Sequence, residues 1–340
     1  MKTWIVTGAA GFLGRHLVHE LLDRGDRVRA LVRRPTTALP PAVEQHSGDV
    51  LSYETLPPLL EGADGVFHLA GKVDREGARD ALFAVHVDGT ANVLRAAANV
   101  GVRRLVLASS SGTVAVSGTP VVHGDDAPFA TEVVKDWPYY TSKIHAEAVA
   151  ERMARTLGVE LVTLRPSLLL GPDDFGNSST DDVRRLLRGD VVMVPEGGVC
   201  FVDVRDAAAT FARAMTSARA GSRYLLGAAN MTLRDFSGLV ANVADVDPPL
   251  MELAPRTWRV GVAVARMADA LGIGALPDRI SLEMARHFWY CDWSRACAEI
   301  GHSPRPPVET IEDTVAWLQA YGDLQLGEPP RNLLRLRSRG

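Results

Sequence analysis

The sequence predicts an α/β protein, a doubly wound parallel sheet followed by a smaller, mostly helical C-terminal part. Three observations lead there. Over the first 170 residues short β-rich runs alternate with helical periodicity, as in right-handed βαβ units. Strand candidates such as Leu105-Val106-Leu107 are apolar without alternation, which suits central strands covered on both faces. A glycine-rich turn separates the first strand from the first helix.

Taken in chain order, the first strand is Thr3–Thr7. The helix Phe12–Asp23 follows, with Leu13, Leu17, Leu21 and Leu22 on one face. Strands are expected at Val28–Val32 and Val66–Leu69, then a helix over residues 79–100. The strand Leu105–Ala108 precedes a helix Tyr139–Leu157, whose apolar side carries Ala146, Val149, Ala150 and Met153, and then comes the strand Leu161–Leu164. Beyond residue 170 the rhythm changes. Gly171, Pro172, Gly176, Pro195, Gly197 and Gly198 punctuate loops around one charged helix, Asp181–Leu187. Val199–Val202 and Tyr224–Leu226 read as strands that the main sheet can take in. The expected organisation is residues 1–170 as a nucleotide-binding domain, 171–325 as a substrate-binding cap and 326–340 as a solvated basic tail (Arg331, Arg335, Arg337, Arg339).

Composition narrows the function classes. Acids number 41 against 37 bases, and no basic stripe dominates either half, so nucleic acid is not an expected partner. Cys200, Cys291 and Cys297 form no CxxC pair, which argues against a zinc site or a disulfide framework and fits a reducing, cytoplasmic setting. Met1 runs almost directly into the strand-like Trp4-Ile5-Val6, leaving no room for a signal peptide. The stretch Val260–Leu276 carries Arg266 and Asp269 and reads as an amphipathic helix rather than a bilayer span. His16, His19 and Glu20 read as surface or packing residues, and no metal is expected.

The turn after the first strand is Thr7-Gly8-Ala9-Ala10-Gly11-Phe12-Leu13-Gly14. Glycines at three-residue spacing give the tight bend, let the backbone approach a pyrophosphate and seat the helix close to the strand. The free N–H groups of the helix start then face the anion. This makes the sheet Rossmann-type and implies a dinucleotide. NAD-selecting folds end the second strand in an acid, and here Arg33 and Arg34 stand at that end with no acid. Arg33, with Arg34 as second candidate, is the expected 2′-phosphate fork, so NADP is favoured over NAD.

Two further segments carry chemistry. Ser109-Ser110-Ser111-Gly112 closes a strand at the carboxyl edge, where open α/β sheets bind ligands. Tyr139 and Lys143 lie four apart on one helical face. A tyrosine is a poor acid–base catalyst at neutrality, and a nearby ammonium is expected to lower its pKa toward the working range. The serine hydroxyl can hold a carbonyl or alcohol oxygen.

These segments, with Gly48-Asp49-Val50, His68-Leu69-Ala70-Gly71, Asp88-Gly89-Thr90-Ala91-Asn92, and Arg165-Pro166-Ser167 with Gly171-Pro172, resemble the extended short-chain dehydrogenase/reductases. Val28–Pro35 and Leu107–Val114 are most similar to its dihydroflavonol-reductase-like branch. The resemblance implies NADPH-dependent reduction of a small-molecule ketone or aldehyde, or the reverse oxidation. Tyr139 would donate the proton, and Lys143 would hold the ribose and tune Tyr139. The family's serine falls on Ser110, with Ser111 the alternative. Asp49 and Val50 would flank the adenine, Leu69, Ala70 and Gly71 the pyrophosphate side, Pro166 and Ser167 the nicotinamide. Thr7, Phe12, Leu13 and Ala108 would complete the cofactor contacts.

Two departures stand out: His86 replaces the family's usual asparagine, and Ala115-Val116 replaces Tyr-Gly. A sugar epimerase or dehydratase and a 3β-hydroxysteroid-dehydrogenase-like enzyme are the alternative activities, and an NADP-binding sensor is the non-enzymatic one. Helices 79–100 and 139–157 form a dimer interface in many relatives, so a homodimer is one expected state. His68 is expected to be a satisfied buried histidine. His123, Asp125 and Asp126 occupy a loop able to border the substrate. Trp258, Phe288, Trp289 and Trp293 are expected in the C-terminal core, with one of them placed to line an apolar pocket.

Overall fold

A computed structural model describes residues 1–74, 78–176, 178–191, 193–249, 251–253 and 279–321. The expected helix Val260–Leu276, Trp258 and the basic tail lie outside them.

In chain order the strands are β1 (Thr3–Thr7), β2 (Arg27–Val32), β3 (Glu44–Ser47), β4 (Gly65–His68), β5 (Arg104–Ala108), β6 (Glu160–Pro166), β7 (Leu168–Leu170), β8 (Met193–Pro195), β9 (Gly198–Asp203), β10 (Arg223–Leu226), β11 (Ala229–Thr232) and β12 (Met251–Leu253). Among the described residues a seven-stranded sheet runs β10-β6-β5-β4-β1-β2-β3, with all its pairings parallel. The order reverses between β1 and β4, where the carboxyl ends of the strands leave a crevice. Of the two later strands, Arg223–Leu226 joins this sheet, whereas Gly198–Asp203 belongs to a second one, β11-β9-β7. The sequence showed no strand at Glu44–Ser47. Glu-Gln-His-Ser is polar because the strand lies at the sheet edge and has little apolar surface to hide.

The helices used below are α1 (Phe12–Asp23), α2 (Leu56–Leu60), α3 (Arg79–Phe83), α4 (Gly89–Asn99), α5 (Thr131–Val134), α6 (Pro138–Leu157), α7 (Asp181–Leu187), α8 (Val204–Ser217) and α9 (Leu233–Ala244). One face of the sheet is covered by α1 and α8, through Leu17, Leu21, Phe211 and Met215 packed on Val6, Phe67 and Val106. The other is covered by α2, α4 and α6, through Leu56, Leu59, Val93, Leu94 and Ala150 against Ile5, Leu105 and Leu161. A separate core joins α7, α9 and the helix Pro307–Tyr321 around Phe201.

The helix expected over residues 79–100 is not continuous. A π-helical turn, Ala84–Asp88, separates α3 from α4. Such wide turns concentrate at functional sites. This one turns the His86 side chain inward, where it is almost fully buried. The helix α6 starts one residue before Tyr139, at Pro138, whose missing N–H costs nothing in the first turn.

Candidate functional site

The ends of β1, β4, β5 and β6 open on one cavity of about 490 Å³. The glycine turn supplies its floor on the β1 side. Gly8 has φ +72°, and a Cβ there would sit 2.7 Å from the Leu69 and Ala70 backbone. At Gly14 a Cβ would come within 2.1 Å of the Gly8 carbonyl oxygen, so only glycine lets α1 lie this close. The first turn of α1 has no acidic residue, and its N-cap, Gly11, offers no side-chain cap. The helix start is left to an anion, which fits the diphosphate of a dinucleotide.

Gly8, Gly11, Phe12, Leu13 and Gly14 line the cavity, as do Leu69 and Gly71 after β4. Ala108 and Ser110 line it after β5, joined by Tyr139, Lys143, Pro166 and Ser167. Other expected contacts stand behind or beside it. Thr7 is buried, with its hydroxyl 2.7 Å from His68 Nδ1 and accepting the Ala70 N–H at 3.2 Å. Asp49 caps its own turn by accepting the Leu51 N–H at 2.9 Å, while Val50 packs in the core. Arg33 and Arg34 are exposed where β2 ends, and among the described residues neither has an ion pair. His123, Asp125 and Asp126 do not line the cavity: Asp125 instead accepts the Leu225 N–H, and its carbonyl takes Arg165 Nη1 at 2.9 Å.

Within the cavity Tyr139 is hydrogen-bonded to Ser110, whereas Ser111 turns to Cys291. Lys143 Nζ donates to the Ala108 carbonyl at 3.0 Å. Burial lowers Lys143 to about 8, opposed by the charge of Glu147. The expected lowering of Tyr139 is corrected by the structure. Burial, followed by the neighbouring Tyr140, pushes the phenol up, and only the Ser110 hydrogen bond pulls the other way. The Lys143 ammonium is turned to Ala108 and does not offset the desolvation.

Two neutral imidazoles back the lysine. Thr90 Oγ1 donates to the His86 carbonyl at 2.5 Å, so His68 Nε2–H donates to Thr90 and His68 Nδ1 accepts from Thr7. His68 is thus the satisfied buried histidine expected. Ser142 Oγ donates to Tyr139 O at 2.7 Å and therefore accepts from His86 Nδ1–H at 2.8 Å. His86 Nε2 in turn accepts the Lys72 N–H at 3.1 Å. Burial, then the charge of Lys143, holds His68 at about 3 and His86 at about 2. The His86 ring stands edge-on to Tyr139, with centroids 5.6 Å apart.

Of the four C-terminal aromatics, one of which the sequence allowed in an apolar pocket, Trp289 lines the cavity; the wall it builds with Trp137 and Tyr140 was not foreseen. Trp289 stacks on Trp137 at 5.6 Å and lies tilted against Tyr140 at 5.0 Å, and both Trp289 and Tyr140 line the cavity. Gly112 is glycine because a Cβ would meet the Tyr140 ring at 2.2 Å. Phe236, Leu186, Val199 and Met284 extend the apolar lining. Trp289 is brought in by residues 287–292, which bridge two distant segments. Trp289 N donates to Gly198 O at 3.1 Å, Ser117 N to Phe288 O at 3.0 Å and His123 N to Tyr290 O at 3.0 Å. No local pattern announces such a bridge.

Residues 4–227 match the model of the NAD dependent epimerase/dehydratase family. The chain belongs to that family. Relatives extend the likeness over nearly the whole length. Sterol demethylase protein B of Methylococcus capsulatus is 30% identical over 337 residues, covering 94% of this chain and 99% of that one. Cinnamoyl-CoA reductase 1 of Oryza sativa subsp. japonica is 34% identical over 271 residues, 74% of this chain and 75% of the relative. A crystal structure of gox2253 superposes with a TM-score of 0.82 at 28% identity, covering 95% of this chain and 99% of that chain. The family member described here is an enzyme-type Rossmann protein. Among its described residues no helix is long and apolar enough to cross a membrane.

Proposed function

We propose that this family member is an NADP(H)-dependent oxidoreductase that reduces a ketone or aldehyde on a largely apolar molecule, or oxidises the corresponding alcohol. One observation carries the reading: Ser110, Tyr139 and Lys143 converge with the glycine turn on a single cavity whose remaining wall is aromatic and aliphatic. Bound NADPH supplies the hydride. Ser110 orients the substrate oxygen. Tyr139, kept protonated by burial, is the proton donor to that oxygen as it gains charge. Lys143, anchored on the Ala108 carbonyl, holds the cofactor ribose. Pro166 and Ser167 form the nicotinamide side. The Ser167 hydroxyl is buried and has no oxygen or nitrogen partner among the described residues, which suits it to receive a carboxamide.

The choice of NADP rests on Arg33, with Arg34 beside it. Both are exposed at the end of β2, where a guanidinium pairs with a 2′-phosphate through two hydrogen bonds. The apolar substrate rests on Trp289, Phe236, Val199 and Met284, and agrees with a sterol in one relative's name and a cinnamoyl group in another's. We place residues 1–170 with β10 as the nucleotide-binding part, and the later segments as the cap.

The test is an NADPH-consumption screen over aryl ketones, steroids, β-keto esters and nucleotide sugars, with Tyr139→Phe in parallel. Turnover of an apolar carbonyl compound that disappears in the variant is expected. Turnover confined to nucleotide sugars, with cofactor retained through the cycle, would overturn the reading in favour of an epimerase.

A further inference from the structure

The wall between the cavity and the outer surface holds two free thiols that the proposed reaction does not use. Cys200, on β9, lines the cavity from inside. Cys291, on the bridging segment, lines a shallow groove on the other side. Both are about 1% exposed and pack in one small cluster with Val114, Ala115 and Leu225. Asn230 fixes their relative position. It stands opposite Cys200 in the β9–β11 ladder, while its side-chain amide donates to Cys291 O at 2.9 Å and accepts Cys291 N–H at 3.0 Å. Gly227 leaves the room, since a Cβ there would lie 2.7 Å from Cys200 Sγ. The shared cluster and the Asn230 clamp bring the two thiols next to each other.

We propose that Cys200 and Cys291 are a reversible thiol–disulfide couple built into the cavity wall, oxidised by a small disulfide that enters through the cavity. The Cys200 thiolate attacks one sulfur of the small disulfide, forms a mixed disulfide and expels the first thiolate. Cys291 then gives up its proton, and its sulfur displaces the second thiolate from Cys200 Sγ. Two protein thiols lose two electrons, the external disulfide gains them and leaves as two thiols, and one S–S bond joins β9 to the bridging segment.

The asymmetry of the pair supports this order. Burial works against ionisation of Cys200, but the neighbouring Cys291 and backbone N–H groups outweigh it and hold that thiol below its ordinary value. Cys291, by contrast, is pushed up by its bond to Cys200 and by burial. The attacking sulfur is the one facing the cavity, where a small disulfide reaches it, and the resolving sulfur waits behind it. Cys200 and Ser167 line the same cavity, so oxidation reshapes the wall that also carries a residue assigned above to the nicotinamide side.

The proposal is independent of the reductase reading, and its test needs no substrate. The native full-length chain is treated with oxidised glutathione or diamide, alkylated, and digested without reductant. A Cys200–Cys291 cross-linked peptide that dithiothreitol abolishes is expected. Closing a loop of about 90 residues should also raise the midpoint of thermal unfolding by about 5 °C or more. Cys291→Ser should lose both effects and trap a glutathione adduct on Cys200, and Cys297→Ser should keep both. Should Cys291→Ser fold poorly, Cys291→Ala provides the same comparison, while Cys200→Ala should lose the cross-link, the thermal shift and the adduct together. Cross-linking only after denaturation, or adducts confined to the exposed Cys297, would overturn the proposal.

Discussion

Arg165 and Glu147 form an ion pair in which neither side chain reaches solvent, with Nη2 and Oε2 2.6 Å apart. Nε adds contacts at 3.1 Å to both carboxylate oxygens, giving the planar, bidentate geometry that makes such a pair tolerable in a low dielectric. Glu147 also accepts from Ser109 Oγ, and Thr113 Oγ1 lies 3.0 Å from it. Ser109 follows Ala108, whose carbonyl anchors Lys143, and precedes Ser110. The pair therefore pins the strand end that carries both groups. Glu147→Gln leaves the Arg165 charge buried without its counter-charge, and a loss of about 3–5 kcal/mol is expected in urea denaturation. A loss below about 1 kcal/mol would show that the carboxylate is not the partner that matters.

Tyr139→Phe removes only the phenolic oxygen from the cavity. NADPH binding, read by fluorescence titration, should remain within about threefold of wild type, while turnover falls by at least about 100-fold. Undiminished turnover would rule out Tyr139 as the proton donor.

Arg33 has no ion pair of its own among the described residues, so its truncation should cost little stability. Charge-assisted bonds to a phosphate are each worth about 1.5–3 kcal/mol. Arg33→Ala should accordingly weaken NADPH binding by about 10-fold or more and leave NADH binding nearly unchanged. If selectivity persists, Arg34→Ala is the next variant to titrate.

A methyl group at Gly14 points at backbone, 2.1 Å from Gly8 O and 2.8 Å from Ala9, and neither neighbour is a flexible side-chain tip. Gly14→Ala must lift α1 from the turn. At least a 10-fold loss of dinucleotide affinity is expected, about 1.4 kcal/mol or more, with the fold retained by circular dichroism.

His68 and His86 stay neutral in the folded protein, at about 3 and about 2, against an unfolded value near 6.5. Below about 6.5 the unfolded chain takes up protons that the folded one refuses. Stability therefore falls as pH drops from about 6.5 toward 3, by up to ~1.4 kcal/mol per pH unit for each ring. His86→Asn should flatten this acid limb in melts recorded from pH 7 to 4. An unchanged slope would show that the His86 ring is protonated in the folded state.

The sheet was legible because parallel strands buried on both faces, such as Leu105-Val106-Leu107, announce themselves without periodicity, and because the glycines at 8, 11 and 14 have one geometric use. Ser110, Tyr139 and Lys143 were readable for the same reason: each sits at a strand end or on a helix face whose orientation local sequence determines. The π-turn at Ala84–Asp88 was hidden, since one extra residue in a helical turn leaves the apolar pattern of residues 79–100 intact. The direction of the Tyr139 shift was hidden as well. Spacing along a helix says that two side chains share a face, but not that the ammonium of one is held by a carbonyl on another strand. Trp289 and Cys291 were the least accessible, because their place depends on hydrogen bonds from residues 287–292 to Ser117, His123 and Gly198, 80 or more positions away in sequence.

That bridge has a consequence for synthesis on the ribosome. The glycine turn, Ser110, Tyr139 and Lys143 all emerge within the first 143 residues, and the strands that present them can pair as they appear. The segment that closes the aromatic wall emerges about 150 residues later, at roughly 5–20 residues per second. A nascent chain thus passes through an interval in which its dinucleotide half is assembled while the far side of its pocket still stands open, with Trp137 and Tyr140 uncovered. Chaperone engagement, and the damage done by premature termination, should concentrate in that interval.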